Sequence, residues 1–461
     1  MSKYPQPGAA SVGTTGATNA RLSVASSART IPIGEVFENL SLTSEHFKSC
    51  FALFVVFVIE AWEMMIIVYT FPQIAKDFSL NAVQIGNLIG AIFVGMGIGS
   101  FLWGLFCDRL GRKKTIILSL ILYGIVSTLS AFAPSYSALY ASRMLSGVAA
   151  AGMLVVTFPY FEELLPVRYR GPFTVYLAAG WPIGILCALG ASVWIGPMGW
   201  RWTIGLSSVA AVWFLVVARL VPESPYWLAA AGRQADARAA IARLSRGATQ
   251  IPDDATLHVE APQRGAWRDL VSGRMLSLTL IQVALNFTFS WGYWGLQTWL
   301  PTLLQQRGLS VPQSYGFIAI SALCMIPGYI TASFLTGWIG RKKVLIAYIA
   351  AAAVSGYVFA NASSMPAVYG ANFALAFFSL GAWGVWDTWI AELYPTRVRT
   401  IGYSWAILAQ RVANIIAPSF IGALVAHGTS FNMTTSIINV FMVTSAALAI
   451  LLPETEGKDL D

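Results

Sequence analysis

Glu60 and Glu63 lie three residues apart in the otherwise almost wholly apolar run from Phe51 to Phe71. At that spacing they share one face of a helix. Two ionised carboxylates so close together repel, and removal from water adds to the penalty, so the pair is a candidate proton carrier. Spacing alone does not separate the two, and Glu60 is the slight preference. Arg143, Asp387 and Arg411 also sit deep in apolar runs. A charge at the centre of a membrane helix costs about 2.5–3.5 kcal/mol, so each is expected to face a partner or a water-filled cavity. Arg411, with Asn414 close behind it, offers a planar fork for a carboxylate, which suits an organic anion. The structural alternative is a standing Asp387–Arg411 pair that only pins two helices together.

A second constellation is uncharged. Asn286, Ser290, Tyr293 and Gln297 follow one another at steps of four, three and four, forming a polar stripe along one helix face. Trp294, Trp383 and Trp62 are the aromatic candidates near these groups. Small-molecule sites are mostly apolar and aromatic with a few placed polar groups, so a flat ring could stack there. Trp299 and Trp389, towards the ends of their runs, are expected in the interfacial belt instead.

The elements that must carry these residues follow from composition. The chain has 461 residues, 56% hydrophobic and only 11% charged, where soluble domains carry roughly 25% charged residues. A soluble enzyme and a disordered protein are excluded. About 20 apolar residues span a bilayer, and twelve runs qualify: 50–71, 85–106, 115–133, 138–161, 173–194, 202–221, 275–299, 315–337, 344–360, 367–391, 402–425 and 434–452. The fold class is all-α membrane, with an N-terminal six-helix bundle over 47–221, a central loop over 222–274 and a C-terminal bundle over 275–453. Residues 1–46 read as a disordered tail with a short amphipathic helix around Ile33 to Phe47, and 454–461 as a second tail.

Basic residues cluster in alternate loops: Arg109 to Lys114, Arg168 and Arg170, the central loop, Arg341 to Lys343, then Arg397 and Arg399. Lys76, Arg201 and Arg307 stand in the loops between. The positive-inside rule places the clusters and both termini in the cytoplasm of a multi-pass protein of the cell membrane, a bacterial inner membrane by expectation. The formal charge of +8 therefore reports topology and not a nucleic-acid partner. Cys50, Cys107, Cys187 and Cys324 have no metal-ligand spacing, and no catalytic or phosphate-cradling motif is complete, so neither an enzyme nor a cofactor is expected.

The chain repeats itself. Gly111-Arg112-Lys113-Lys114 recurs 229 residues on as Gly340-Arg341-Lys342-Lys343, and Glu163 to Arg170 recurs as Glu392 to Arg399. Pro72, Leu80 and Gln84 match Pro301, Leu309 and Gln313 at the same shift. Six spans per half is an even number, so the halves run parallel, and such halves place a substrate site between them at the midplane.

Gly104-Leu105-Phe106-Cys107-Asp108-Arg109-Leu110-Gly111-Arg112-Lys113 resembles the signature loop of the major facilitator superfamily. Arg143 with Gly147 and Gly152, and Pro222-Glu223-Ser224-Pro225, resemble two more of its motifs. Pro222 to Leu228 is similar to the sugar-porter and organic-ion branches. Trp299-Leu300-Pro301, Ile326 to Tyr329, Leu380 to Val385, Tyr394-Pro395-Thr396 and Arg411 resemble bacterial niacin transporters and metabolite–proton symporters, although Glu60 and Glu63 stand where that pattern has aspartates and Asp387 is an addition. The resemblance implies a monomeric secondary transporter in which spans 1 and 4 are neighbours, so that Arg143 is the counter-charge to Glu60 and Glu63. It implies that Asp108, Arg109, Arg112, Glu163, Arg168 and Arg170, with Glu392, Arg397 and Arg399 as their second copy, latch one conformation. For Arg341 and Lys342, plain topology marking is preferred to a latch. The resulting expectation is proton-coupled uptake of a small aromatic or heterocyclic carboxylate, nicotinate first. A sugar or polyol symporter and a non-transporting membrane sensor are the alternatives.

Overall fold

The computed structural model describes residues 30–259, 268, 270, 273–395 and 398–455. Among them are twelve helices long and apolar enough to cross a membrane. They are Ser44–Phe78, Ala82–Leu110, Arg112–Ala131, Tyr136–Glu163, Val167–Trp194 and Trp200–Leu220 (spans 1–6), then Met275–Gln306, Val311–Ile339, Arg341–Asn361, Met365–Trp386, Ile401–Ala426 and Phe431–Leu451 (spans 7–12). Most run past the apolar stretches that announce them, because hydrogen-bonded caps and not hydropathy end a helix. At the start of span 2, Asn81 and Gln84 exchange side-chain to backbone hydrogen bonds of 2.9 Å each. Ser310 and Gln313 do the same at the start of span 8. The Gln84–Gln313 match is thus a duplicated capping box.

Packing repeats too. Span 2 lies on span 4 as span 8 lies on span 10, and span 1 on span 5 as span 7 on span 11. The halves meet along spans 2 and 11 and along spans 5 and 8. The basic loops and the central segment define one end of the body, called the basic end here. At the opposite end the halves touch closely. A Cβ on Gly86 of span 2 would lie 2.5 Å from the backbone oxygen of Pro418, so only glycine permits this approach. The Tyr315 hydroxyl donates to the backbone oxygen of Tyr69 at 2.7 Å, and Phe71 packs on Trp299 with ring centroids 5.9 Å apart. Trp299 and Trp389 are fully buried, not at an interface with lipid headgroups, and the Trp299 indole donates to the Pro418 oxygen at 2.9 Å. The closed seam explains the departure for Trp299.

The N-terminal stretch also differs from the sequence expectation. One helix, Ile33–Glu38, precedes span 1 and is separated from it by a break capped at Thr43. It buries Ile33 and Phe37, the latter against Tyr226 at 5.1 Å between ring centroids. Strand β1 (Thr30–Pro32) pairs in parallel with β2 (Thr256–His258) from the central segment. That segment itself folds helices Pro225–Ala230 and Gln234–Leu244. Thr43 donates to the Leu244 oxygen at 2.6 Å, and Arg243 reaches Glu45 at 3.6 Å. The apolar face of the short helix is therefore spent on protein. Residues 1–29 of the expected tail lie outside the described residues.

Candidate functional site

Span 1 carries two carboxylates in different settings. Glu63 pairs with Arg143 of span 4 at 2.8 Å, both side chains fully buried. Ser146, three residues further along span 4, donates to the same carboxylate oxygen at 2.6 Å. Arg143 also donates to the backbone oxygen of Glu63 at 3.1 Å. This pair lies within one half, and its charges are matched. Glu60 takes no part in it, so the expected three-membered set reduces to Glu63 and Arg143.

Glu60 is fully buried, and neither of its carboxylate oxygens has a hydrogen-bond partner. The charge that acts on it is Arg411, from span 11 in the other half, and Glu60 is in turn the first charge acting on Arg411. Arg411 sits mid-helix and is partly accessible, and its Nε has no partner. A part-buried cation and a buried anion thus act on one another across the halves with no direct ion pair between them. The alternative pairing of Arg411 with Asp387 involves a side chain outside the described residues.

The span 7 stripe converges on spans 10 and 11. Asn286 donates to Gln282, and its oxygen accepts from Trp386 at 2.9 Å and from Gln410 at 2.8 Å. Ser290 bonds Asn414 at 2.6 Å, and with its amide turned Asn414 also accepts from the Trp294 indole at 3.2 Å. Tyr293 accepts from Gln297 at 3.3 Å and, across the halves, from the Trp181 indole of span 5 at 3.1 Å. Trp181 meets Trp294 edge-on at 5.6 Å, and Tyr293 meets Trp383 at 5.9 Å. Arg411, the polar stripe, Trp294 and Trp383 are so brought to one region between the halves. Trp62 is not: its indole donates to Ser207 of span 6 at 2.8 Å, inside the N-terminal half. Trp181 is the residue that sequence reading missed, because its partner lies in the other half and leaves no local signal.

The basic end holds the expected charges in two related clusters. Gly111 ends span 2 with φ +91°, and Gly340 ends span 8 with φ +90°, backbone that favours glycine. Arg112 bonds Glu163 at 3.1 Å, with Asp108 at 3.9 Å. Arg341 bonds Glu392 at 2.5 Å. Arg170 donates to the Tyr226 hydroxyl at 2.7 Å, Arg168 lies over the Tyr169 ring and Arg109 is exposed. Arg399 lies 3.5 Å from the Tyr394 oxygen, and Arg397 is outside the described residues. A further pair was hidden in the sequence. Glu223 accepts from the backbone of Arg112 and Lys113 at 2.9 and 3.0 Å, capping span 3. Glu454 accepts from the backbone of Lys342 at 3.3 Å, at the start of span 9. Pro222-Glu223-Ser224 thus has a second copy in Pro453-Glu454-Thr455, disguised by a shift in register. The ion pairs between described residues each lie within one half, within the central segment, or between the N-terminal half and that segment.

Twelve spans in two like-packed halves, with a polar and charged region between them, define a secondary transporter of the major facilitator superfamily. The chain belongs to the family described as "Sugar (and other) transporter", which matches residues 43–461, a family of transporters and not of enzymes. Relatives include the niacin transporter NiaP of Acinetobacter baylyi, 32% identical over 92% of this chain and 98% of that protein. A putative niacin/nicotinamide transporter NiaP of Bacillus subtilis is 28% identical over 87% of this chain and 94% of its own length. Among solved structures, the inward-open xylose transporter XylE of E. coli superposes with TM-score 0.73 at 19% identity, covering 90% of this chain and 98% of that one. That likeness bears on the fold.

Proposed function

We propose that this transporter imports a small aromatic or heterocyclic carboxylate, nicotinate in the first place, together with protons. The basic end is its cytoplasmic face. The observation that carries the reading is Arg411, a part-buried cation with no ion pair among the described residues, whose neighbours Gln410 and Asn414 join the hydrogen-bonding stripe of span 7. The likeness to two niacin-type transporters supports it.

Arg411 is one positive charge facing two candidate anions. While Glu60 is ionised, it holds the guanidinium's field. An incoming carboxylate takes the fork bidentately, and Glu60 then carries an unmatched buried charge unless it takes up a proton. Substrate and proton therefore load together and leave together. Glu63–Arg143 keeps the N-terminal half neutral beneath this exchange, and the paired charges at the basic end hold neighbouring helices of each half together while the halves move. The uncharged network of Asn286, Gln282 and Gln410 favours a second reading, a sugar or polyol symporter.

The test is uptake of labelled nicotinate into proteoliposomes, with and without an imposed inward proton gradient. Accumulation that needs the gradient supports the proposal. Absence of uptake under both conditions by folded protein removes nicotinate as substrate. Xylose uptake that tolerates Arg411→Lys would favour the sugar reading.

A further inference from the structure

Basic residues gather at the basic end, and Arg201 and Arg307 are among the few at the opposite one, kept there against the positive-inside bias. Arg201, the second residue of span 6, donates to Asp77 at the end of span 1 at 3.0 Å. It also donates to the backbone oxygen of Ala133, between spans 3 and 4, at 3.2 Å. Its guanidinium lies 4.2 Å from the ring centre of Trp200 and 5.8 Å from that of Phe78. Arg307, just after span 7, donates to the backbone oxygens of Ala360 and Ala362, where span 9 ends, at 3.1 and 2.9 Å. It donates to Asn432 of span 12 at 2.9 Å and lies 4.2 Å from the ring centre of Phe431. Each arginine thus links all three interhelical connections at this end of its own half.

The duplication makes the two sets comparable position by position. The 229-residue shift maps Ala133 onto Ala362, in the register that also matches Ser135 and Ser364, the N-caps of spans 4 and 10. The same shift maps Phe78 onto Arg307. Trp200 with Arg201, and Phe431 with Asn432, are the first two residues of spans 6 and 12. Both halves therefore present a guanidinium to the same carbonyl and the same aromatic position. The cation comes from the last connection in the N-terminal half and from the first in the C-terminal half. A guanidinium held at one place in space by two different positions in sequence is not a relic of the duplication. The physical demand is plain: carbonyls at the end of a helix have no partner within it, and a cation is favoured there. The flat fork can bond several segments of chain at once while stacking on a ring.

We propose that Arg201 and Arg307 are clamps, each holding the three connections of its half together as one cap, so that this end of the molecule opens between the halves and not within either. The seam between the halves crosses the same end through Gly86 and Tyr315, which neither arginine bonds. It can part while each cap stays whole. The inference concerns the bodies that move and holds whatever the substrate.

Hydrogen–deuterium exchange of the full chain in lipid nanodiscs, read by mass spectrometry, tests the proposal, because backbone amides exchange when their segment opens. In Arg307→Ala, exchange in 306–310, 360–366 and 427–432 is expected to rise together by about tenfold, the scale of one lost charged hydrogen bond. Exchange in 76–82 and 131–136 should stay within about twofold of the unmodified chain. In Arg201→Asn the two sets of segments should change places. Phe78→Arg/Arg201→Asn gives the N-terminal half the arrangement of the C-terminal half, and its exchange should return to within about threefold of the unmodified chain. Unchanged exchange in both single variants overturns the clamps. So does a rise confined to the mutated connection, or one spread equally over both halves. If Arg307→Ala does not fold, the N-terminal variants decide: no recovery on adding Phe78→Arg to Arg201→Asn overturns the proposal too.

Discussion

Glu60 and Glu63 are the same side chain, one helical turn apart on one span, and both are fully buried. Glu63 has a guanidinium at 2.8 Å and a serine hydroxyl at 2.6 Å, all from its own half. Glu60 has no hydrogen bond, and its opposite charge belongs to the other half. The difference lies in which partner moves. A charge matched within a rigid half is indifferent to rocking of the halves, whereas a charge matched across the halves changes its surroundings whenever they move. The first is suited to holding a fold, the second to reporting a conformation.

The sharpest way to break this contrast is to strip Glu63. In Glu63→Leu, Arg143 remains charged with no counter-ion, and removal of one partner of a buried pair costs about 3–5 kcal/mol. Thermal unfolding of the purified protein should show a much lowered midpoint, with part of the loss returned in Glu63→Leu/Arg143→Leu. A stability close to that of the unmodified chain in the single variant would remove the holding role.

Arg411→Lys comes next. It keeps the charge but loses the fork, and nicotinate affinity should fall about tenfold to a hundredfold, the equivalent of about 1.5–3 kcal/mol. Equilibrium binding in detergent measures it, and unchanged affinity would place the carboxylate elsewhere. The smallest expected change is in the stability of Glu60→Gln. Glu60 has no hydrogen bond to lose but faces Arg411 at a distance, so the unfolding midpoint should fall by clearly less than that of Glu63→Leu. Its phenotype should appear in coupling: nicotinate exchange across the membrane continues, while gradient-driven accumulation disappears. Retained accumulation would transfer the proton to another group.

Much of this architecture was legible in the residues. Apolar runs announced the twelve spans, and Gly111 with Gly340 announced the duplication. The Arg143 pairing was legible through the family resemblance, which sets spans 1 and 4 side by side. The choice between Glu60 and Glu63 was not, since three residues of helical spacing place both on one face and only tertiary packing selects the partner. Trp299 misled for a related reason: an indole near the end of a span suits a lipid interface or a seam between helices equally, and the Pro418 oxygen decided it. The link between Trp181 and Tyr293 crosses 112 residues of sequence and had no local trace.

The seam that closes one end of the molecule sets Gly86 and Gly422 against backbone of the other half and adds the Tyr315–Tyr69 hydrogen bond and the Phe71–Trp299 contact, none of which involves a charged side chain. Ionic strength screens exposed charges over a Debye length of about 10 Å at 0.1 M salt and acts little on such a contact. The partly exposed pairs Arg112–Glu163 and Arg341–Glu392 at the basic end are open to that screening. Added salt therefore weakens contacts between helices of the same half at the basic end and leaves the seam at the other end as it was.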